Sequence, residues 1–488
     1  MKFSINLPVE TAGVLVRSVF KNELKSTADL APELRRLADY AVARVAYKAE
    51  VGEVFYLPNP DGQSEILLGL GDAGELNLDK LREIFFKLGQ SVRRYRESPV
   101  HLPLPPCSER PVAEVVEGMV EGLLQATYCF DKYKKKPAAP PQPTTEINLL
   151  GENETEIQAG VGRATTLISG IFTARDLVNE RANVIYPKTL AEKAVALLEP
   201  LDVKVSVYKK KEIKDLGMEA FLSVARGSDK EPRLIVMEYT GRPDSEDRTA
   251  LVGKGLTYDS GGYSLKPSTS MDTMFCDMAG AATVIGAMEI IARLKLATNV
   301  TAVVAACENL VNGDAYKPGD IISSLSGQTI EVVNTDAEGR LTLADAVYYA
   351  TAEDHLNCSR VVDLATLTGA CLVALGEEYT ALVSNNKAFT EAVKVAADRA
   401  GERVWELPAD RDFADRNQSK VADLVNSGGR LGGTISAGLF VGAFVAGEKP
   451  WVHFDIAGTA YLSKAQHYLP EGATGVHVKT LVNLVSQA

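Results

Sequence analysis

The stretch TALVGKGLTYDSGGYSLKP, residues 249–267, decides the fold. An apolar run typical of a buried strand passes directly into a Gly-rich turn that carries Lys254, Asp259 and Lys266. Proteins of the α/β class place their functional sites on loops that follow the strands of a sheet. Two alternatives are a solvated loop with incidental charges and a phosphate-binding loop. A phosphate-binding loop requires the pattern GxxxxGK[ST], which is absent from this stretch.

Strands and helices alternate on both sides of this stretch. Apolar runs with the composition of buried strands are separated by helical patterns, notably at 277–295 and 340–353. This alternation predicts an α/β domain in which helices cover a central mixed β-sheet. The further strand candidates are VKVSVY (203–208), RLIVMEY (233–239), NVTAVVAAC (299–307), QTIEVVN (328–334) and RVVDLA (360–365).

At 488 residues the chain is longer than one hydrophobic core supports, so we expect two α/β domains. The charged and Pro-rich stretch DKYKKKPAAPPQPTT, residues 131–145, predicts an exposed linker. The smaller N-terminal domain then spans residues 1–150 and shows no cluster of catalytic residues. The catalytic domain spans 151–488 and begins with a connector helix at about 153–180.

Composition excludes several classes of function. The 52 Lys and Arg residues against 64 Asp and Glu residues give a net charge of -12, which argues against nucleic acid or anionic lipid as a partner. The first residues lack the apolar core of a secretion signal, and no run of about 18 apolar residues could span a bilayer. We therefore expect a soluble cytoplasmic protein.

Cysteine and histidine usage narrows the metal chemistry. The six cysteines have no paired spacing, which predicts reduced thiols, and the five histidines form no HExxH motif, which predicts isolated core or surface residues. Any metal site must therefore use oxygen ligands. The residues are Cys107, Cys129, Cys276, Cys307, Cys358 and Cys371, and His101, His355, His453, His467 and His477.

Acidic residues recur after Asp259. Asp277 begins an apolar helix, MAGAATVIGAM, where an acidic residue is usually a cap or a partner of the helix dipole. The stretch NTDAEGRLTLADA (334–346) follows a predicted strand. If the chain stays extended there, Asp336, Glu338 and Arg340 point to the same side. Crowded carboxylates repel one another unless divalent cations neutralise them, although a buried Arg–carboxylate network is the alternative.

A charge count favours the metal interpretation. The carboxylates of Asp259, Asp277, Asp336 and Glu338 carry four negative charges, which match two divalent ions. Lys266 and Arg340 are then surplus cations that could stabilise an oxyanion or bind an anion. Lys254 could ligate a metal only after losing its proton.

Five stretches resemble the leucyl aminopeptidase family of two-metal exopeptidases. They are VGKGLTYDSGG with the following LKP, CDMAGAA, NTDAEGRLTLADA, DLATLTGA and the late GATG. The likeness covers about residues 160–488 and is highly specific, because NTDAEGRL is the hallmark of the family. The first 150 residues match only in general character.

The resemblance implies a role for each matching residue. Asp259 and Glu338 would bridge the two metals, Lys254 and Asp277 would complete the tighter site, and Asp336 the more exchangeable one. Lys266 and Arg340 would be catalytic, and Gly339, Arg340 and Leu341 would bind bicarbonate. Substrate would contact Lys266, Met274, Asp277, Thr366, Leu367, Gly369, Ala457 and Ala460.

The implied activity is release of N-terminal amino acids, Leu and other apolar residues above all, from peptides by a metal-bridging hydroxide. The metals would be Zn²⁺ or Mn²⁺, with Mg²⁺ or Co²⁺ as alternatives, and the assembly a homohexamer. Ala460 stands where many relatives have a larger side chain, so the pocket could be roomier here. Two rival functions are a non-catalytic DNA-binding or regulatory protein on this fold and a two-metal phosphoesterase, which usually adds His ligands.

Overall fold

The structure is a computed structural model that describes residues 1–9, 12–26, 30–60, 62–106, 110–135 and 145–486. The chain forms two compact units, each made of two segments. Most of the predicted linker, residues 136–144, lies outside the described residues. The first unit is Met1–Ile168 with Ala465–Leu469, and the second is Ser169–Lys464 with Pro470–Ala488.

The first unit is built on one six-stranded sheet with helices. The strands are Lys2–Ile5 (β1), Val14–Val19 (β2), Val54–Leu57 (β3), Ser64–Gly69 (β4), Val100–Pro103 (β5) and Glu146–Leu150 (β6), and the helices are Lys21–Leu24 (α1), Pro32–Val45 (α2), Leu78–Tyr95 (α3) and Val112–Gln125 (α4).

The sheet order is β1-β6-β5-β2-β4-β3, and all neighbours are parallel except β3 and β4. Helix α3 buries one face, because Leu81, Phe85, Leu88 and Val92 recur at helical spacing. Such a face packs a helix onto a sheet, so this unit has its own hydrophobic core.

The second unit contains the larger sheet. Its helices are Glu154–Asn179 (α5, which begins in the first unit), Pro187–Leu198 (α6), Lys210–Leu216 (α7), Glu219–Ala225 (α8), Ser268–Met271 (α9), Ala279–Arg293 (α10), Gly339–Thr351 (α11), Gly369–Leu375 (α12), Lys387–Ala400 (α13), Arg411–Ala414 (α14), Gly433–Gly442 (α15) and Val478–Val485 (α16). Its strands are Lys204–Lys209 (β7), Arg233–Thr240 (β8), Thr249–Asp259 (β9), Asn299–Asn309 (β10), Ile321–Ser323 (β11), Thr329–Glu331 (β12), Arg360–Ala365 (β13), Thr380–Ser384 (β14), Val404–Glu406 (β15), Leu424–Val425 (β16), Trp451–Asp455 (β17), Tyr461–Leu462 (β18) and Gly472–Ala473 (β19).

Eight of these strands form a mixed sheet in the order β15-β14-β17-β13-β9-β10-β8-β7. The four central strands, β17, β13, β9 and β10, are parallel, whereas β14 and β8 join them antiparallel. A small separate sheet has the order β11-β12-β16. The prediction of a mixed sheet covered by helices is confirmed.

The predicted strand runs all contain strands, but QTIEVVN does not join the large sheet. Only Thr329–Glu331 of that run is a strand, and it lies in the small sheet. The sequence analysis did not predict β17, whose five residues include His453 and Asp455. Two polar residues in so short a run hide the apolar pattern of a buried strand.

Close backbone contacts hold α10 against the sheet. A Cβ at Gly253 on β9 would lie 2.6 Å from the carbonyl oxygen of Gly280, and a Cβ at Gly280 would lie 2.1 Å from that of Leu364 on β13. Only glycine permits such an approach. The first turn of α10 therefore lies directly against the backbones of β9 and β13.

Residues Ser268–Arg293, which include α10, are long and apolar enough by composition to cross a membrane. However, 94% of the most apolar part of this stretch is buried inside the protein. A buried core helix passes the same test of length and composition, and α10 packs on the large sheet as such a helix does.

Candidate functional site

Four carboxylates meet where the central strands end. Asp259 is the last residue of β9, and Glu338 directly precedes α11. Asp336 lies in a turn two residues earlier, and Asp277 lies two residues before α10. Asp259, Asp336 and Glu338 each present an oxygen within 4.8 Å of the others.

Two lysines hold these carboxylates together. Lys254 Nζ lies 2.9 Å from Asp277 Oδ2 and 2.9 Å from Glu338 Oε1, and it donates to the carbonyl of Thr366 at 2.8 Å. Lys266 Nζ lies 2.8 Å from Asp259 Oδ2 and 2.6 Å from Asp336 Oδ1. Four carboxylates thus share two ammonium groups, which leaves two negative charges in excess.

Burial makes this excess charge unfavourable. The side chains of Glu338 and Lys254 are only 2% and 3% exposed. Burial and then the neighbouring charge of Glu338 raise the pKa of Asp259 to about 8. Burial likewise raises the pKa of Asp277 to about 6, and it raises the pKa of Asp336. Burial opposes ionisation of Glu338 as well, but Lys254 and Lys266 outweigh it and lower its pKa. A site of this kind favours added cations.

The donor set fits divalent metal ions. Carboxylate oxygens are the ligands that hard divalent cations prefer. Glu338 Oε2 is buried and has no hydrogen-bond partner among the described residues, so one ligand atom is already free of competing contacts.

The prediction that the chain stays extended through Asp336, Glu338 and Arg340 is wrong. The chain turns at Asp336, and α11 begins at Gly339. The reason is that the apolar stretch after Glu338 forms a helix. In its first turn, the amide of Thr342 donates to the carbonyl of Glu338 at 3.1 Å. Asp336 and Glu338 still meet, because the turn places them together.

Arg340 leaves this cluster of carboxylates. Its Nη1 donates to the carbonyl of Asn426 at 2.8 Å, and burial lowers its pKa to about 10. Its Nε is buried and has no hydrogen-bond partner among the described residues. Gly339, Arg340 and Leu341 form the first turn of α11, and helix starts of this kind suit an anion.

The predicted pocket residues lie on three segments, after β13, after β17 and before α10. Thr366 Oγ1 donates to Asp277 Oδ1 at 2.7 Å, which ties the segment after β13 to the cluster. The amides of Leu367 and Ala457 both donate to Asp455 Oδ1 at 3.2 Å, so Asp455 brings these two segments together. Pocket-lining roles for Thr366, Leu367 and Ala457, and for Met274, Gly369 and Ala460, stay a prediction.

The histidines lie in the core or at the surface, as predicted. His101, His453 and His477 are buried and have polar partners in Asn148, Asp363 and Thr380. His355 packs on Tyr349, and His467 is exposed beside Glu83. The free thiols among the described residues are Cys129, Cys276, Cys307, Cys358 and Cys371, while Cys107 lies outside the described residues.

The sequence analysis missed residues that support the carboxylates. Asn309, the last residue of β10, donates to Asp259 Oδ1 at 2.8 Å and to the carbonyl of Thr335 at 3.0 Å. Tyr316 donates to the same carbonyl at 2.8 Å. A polar residue that ends an apolar strand was a usable signal for Asn309, but no local pattern marks Tyr316 or Asn426.

Known proteins match this chain in sequence and in architecture. The model of the catalytic domain of the cytosol aminopeptidase family matches residues 172–482, and the model of the N-terminal domain of that family matches residues 16–137. A probable cytosol aminopeptidase of Treponema denticola is 46% identical over 488 residues, which is 100% of both chains. One from Clostridium tetani is 46% identical over 99% of this chain and 98% of its own.

Solved structures agree with these matches. A mutant of tomato leucine aminopeptidase superposes with a TM-score of 0.89 at 28% identity, over 100% of this chain and 97% of its own. The bottromycin maturation enzyme BotP in complex with Mn superposes with a TM-score of 0.86 at 32% identity, over 98% of this chain and 99% of its own.

Proposed function

The chain belongs to the cytosol aminopeptidase family and is an N-terminal exopeptidase, and we propose that it is a two-metal enzyme that prefers Leu and other apolar N-terminal residues. The observation that carries the proposal is the buried cluster in which four carboxylates share two ammonium groups. The Mn complex of BotP, a structural neighbour, supports the use of divalent metal.

The metals would be held by five residues. We propose Zn²⁺ or Mn²⁺ as the pair, with Mg²⁺ or Co²⁺ as alternatives. When bound, such ions supply an acidified water as nucleophile and polarise the scissile carbonyl. Bound cations would balance the carboxylates in place of the Lys254 ammonium. Lys254 would therefore lose its proton and ligate through the free amine. We propose that the ions would be held by Lys254, Asp259, Asp277, Asp336 and Glu338, with Asp259 and Glu338 shared between them as the family resemblance implies.

Lys266 and Arg340 would act on the reacting groups. Once cations balance Asp259 and Asp336, the ammonium of Lys266 is available to stabilise the oxyanion that forms on the scissile carbonyl. The buried Nε of Arg340 and the first turn of α11 suit a small anion, and we propose bicarbonate there. Gly339, Arg340 and Leu341 would hold this anion, which would supply a group for proton transfer to the leaving amine.

Three segments would form the pocket for the first side chain. Thr366, Leu367 and Gly369 follow β13, whereas Ala457 and Ala460 follow β17, and Met274 precedes Asp277. A carboxylate such as Asp277 can also accept the free amino group of the peptide. The small side chain of Ala460 leaves room in such a pocket for large apolar residues.

We also propose a cytoplasmic homohexamer with functional domains at 1–150 and 151–488, the second beginning with α5. The names of the relatives support the location. Sedimentation at the mass of a monomer would reject the hexamer. The DNA-binding alternative gains no support from the relatives, and the net charge of -12 argues against it.

A direct assay tests the proposed activity. Leucyl p-nitroanilide and a phosphodiester are offered to the purified protein with Mn²⁺ or Zn²⁺, before and after treatment with a chelator. We expect hydrolysis of the leucyl substrate alone, loss of activity on chelation and recovery on adding metal. Hydrolysis that survives complete metal removal would overturn the two-metal proposal.

A further inference from the structure

Asn426 is a buried residue that directly follows β16 in the small sheet. It belongs to none of the stretches that carry the family resemblance. Its backbone amide donates to the carbonyl of Glu331 at 2.9 Å, which extends the pairing of β16 with β12. This pairing brings Asn426 beside the segment that leaves β12 toward Asp336.

The side chain of Asn426 binds that segment as a strand would. Its Oδ1 accepts from the amide of Val333 at 2.9 Å and from that of Asn334 at 3.3 Å. Its Nδ2 donates to the carbonyl of Asn334 at 2.7 Å. Both the acceptor and the donor of one amide are therefore used on the two residues that precede the turn with Asp336 and Glu338.

The carbonyl of Asn426 holds the other side of the same motif. It accepts from Arg340 Nη1 at 2.8 Å. Arg340 Nε has no hydrogen-bond partner among the described residues. The hydrogen bond to the Asn426 carbonyl therefore largely fixes the orientation of the guanidinium. One residue thus connects the backbone before the carboxylates with the cation after them.

We propose that Asn426 is a positioning residue that sets the distance between the carboxylates of Asp336 and Glu338 and the guanidinium of Arg340. The proposal rests on the function proposed above. Asn426 would touch neither substrate nor metal. It acts through the backbone that carries the side chains of Asp336, Glu338 and Arg340. Groups that orient the residues of a metal site typically change affinity or activity by about 10- to 100-fold when removed.

The test compares N426A with N299A. Asn299 is a matched control, because its side chain is also buried and clamps a turn: Oδ1 accepts from Arg242 N at 2.9 Å, and Nδ2 donates to the carbonyls of Arg242 and Ser245 at 2.8 and 2.7 Å. It lies at the start of β10, away from the ends of the central strands. Loss of either clamp should lower the unfolding temperature.

For N426A we expect kcat on leucyl p-nitroanilide to fall about 10- to 100-fold with KM near the wild-type value. Calorimetric titration of the chelator-treated protein should show weaker Mn²⁺ binding. For N299A, kcat and the affinity for Mn²⁺ should both equal the wild-type values. Wild-type kcat and Mn²⁺ affinity in N426A, or equal losses in N299A, would overturn the proposal.

N426D covers the case in which N426A does not fold. Aspartate keeps the volume and the acceptor for Val333, but it places an oxygen where Nδ2 donates to Asn334. We expect a loss of kcat and Mn²⁺ affinity here too, and wild-type values would contradict the proposal. If the wild type hydrolyses no aminoacyl substrate, the proposed function fails, while the Mn²⁺ titrations still test the clamp.

Discussion

The two units bury charge in different ways. In the first unit, the buried side chains of Arg82 and Glu121 form an ion pair, with Nε 2.9 Å from Oε2, and Arg82 Nη1 also lies 4.0 Å from the exposed Asp79. In the second unit, four carboxylates share Lys254 and Lys266. Buried opposite charges in equal number balance one another, whereas an excess of buried negative charge favours protonation or an added cation. Charge imbalance, rather than burial of charge, distinguishes the functional site.

The largest expected effect comes from Glu338→Ala. It removes a proposed bridging ligand, so we expect loss of bound metal and of nearly all activity, beyond the ~100-fold that changes beside a metal site cause. Metal analysis and the leucyl p-nitroanilide assay measure both. Glu308→Gln is the control, because Glu308 is a buried carboxylate that pairs with Ser228 outside the cluster. Two ions still bound to the alanine variant would contradict the ligand assignment.

Arg340→Ala should separate turnover from metal binding. The guanidinium contacts no carboxylate of the cluster in a salt bridge shorter than 4 Å among the described residues, so the metals should stay. Without its anion site, proton transfer to the leaving amine slows, and we expect kcat to fall roughly 100-fold. Metal content and kcat are measured on the same preparation. Loss of metal in this variant would place Arg340 among the residues that hold the ions.

Ala460→Met should change specificity more than overall rate. The side chain of Ala460 is 3% exposed, and a methionine there fills space near the proposed pocket. We expect kcat/KM for phenylalanyl relative to alanyl p-nitroanilide to fall about 10-fold, since a few methylenes in a pocket are worth that much. An unchanged ratio would show that Ala460 does not line the pocket.

The smallest effect on activity is expected in the first unit. Replacing both members of a buried ion pair by apolar residues is often neutral or stabilising, whereas removing one destabilises by about 3–5 kcal/mol. We therefore expect R82M/E121L to unfold near the wild-type temperature and E121L alone to unfold much earlier, both with wild-type kcat. Thermal unfolding and the aminopeptidase assay test this. A lower kcat in the double variant would weaken the contrast between the two units.

Sequence patterns predicted the larger sheet well because its central strands are long and apolar on both faces. Strands β8, β10 and β13 match predicted runs closely, whereas β9 continues through the predicted turn to Asp259, so Lys254 lies within the strand. Strand β17 escaped because His453 and Asp455 interrupt its five residues. The small sheet escaped because pairing of β12 with β16 joins residues about 90 positions apart, and no local pattern reports such pairing.

The charged residues of the candidate site could be predicted from the sequence. Asp259, Asp277, Asp336 and Glu338 were grouped from their charges, and the structure brings them to one edge of the sheet. The direction of Arg340 was not predictable, because it depends on where α11 begins and on the distant carbonyl of Asn426. Hydrogen bonds made by backbone groups do not depend on the residue type, so the sequence does not reveal them.

The close contact of Gly253 with Gly280 sets a practical rule for laboratory evolution of new specificities. Even an alanine at either position would collide with backbone atoms, and the strand that carries Lys254 and the helix that follows Asp277 would separate. Mutant libraries that randomise whole motifs would therefore consist largely of inactive clones. Diversity is better introduced at the non-glycine positions after β13 and after β17, because a Cβ at Gly458 would also collide with a backbone oxygen, that of Gly376.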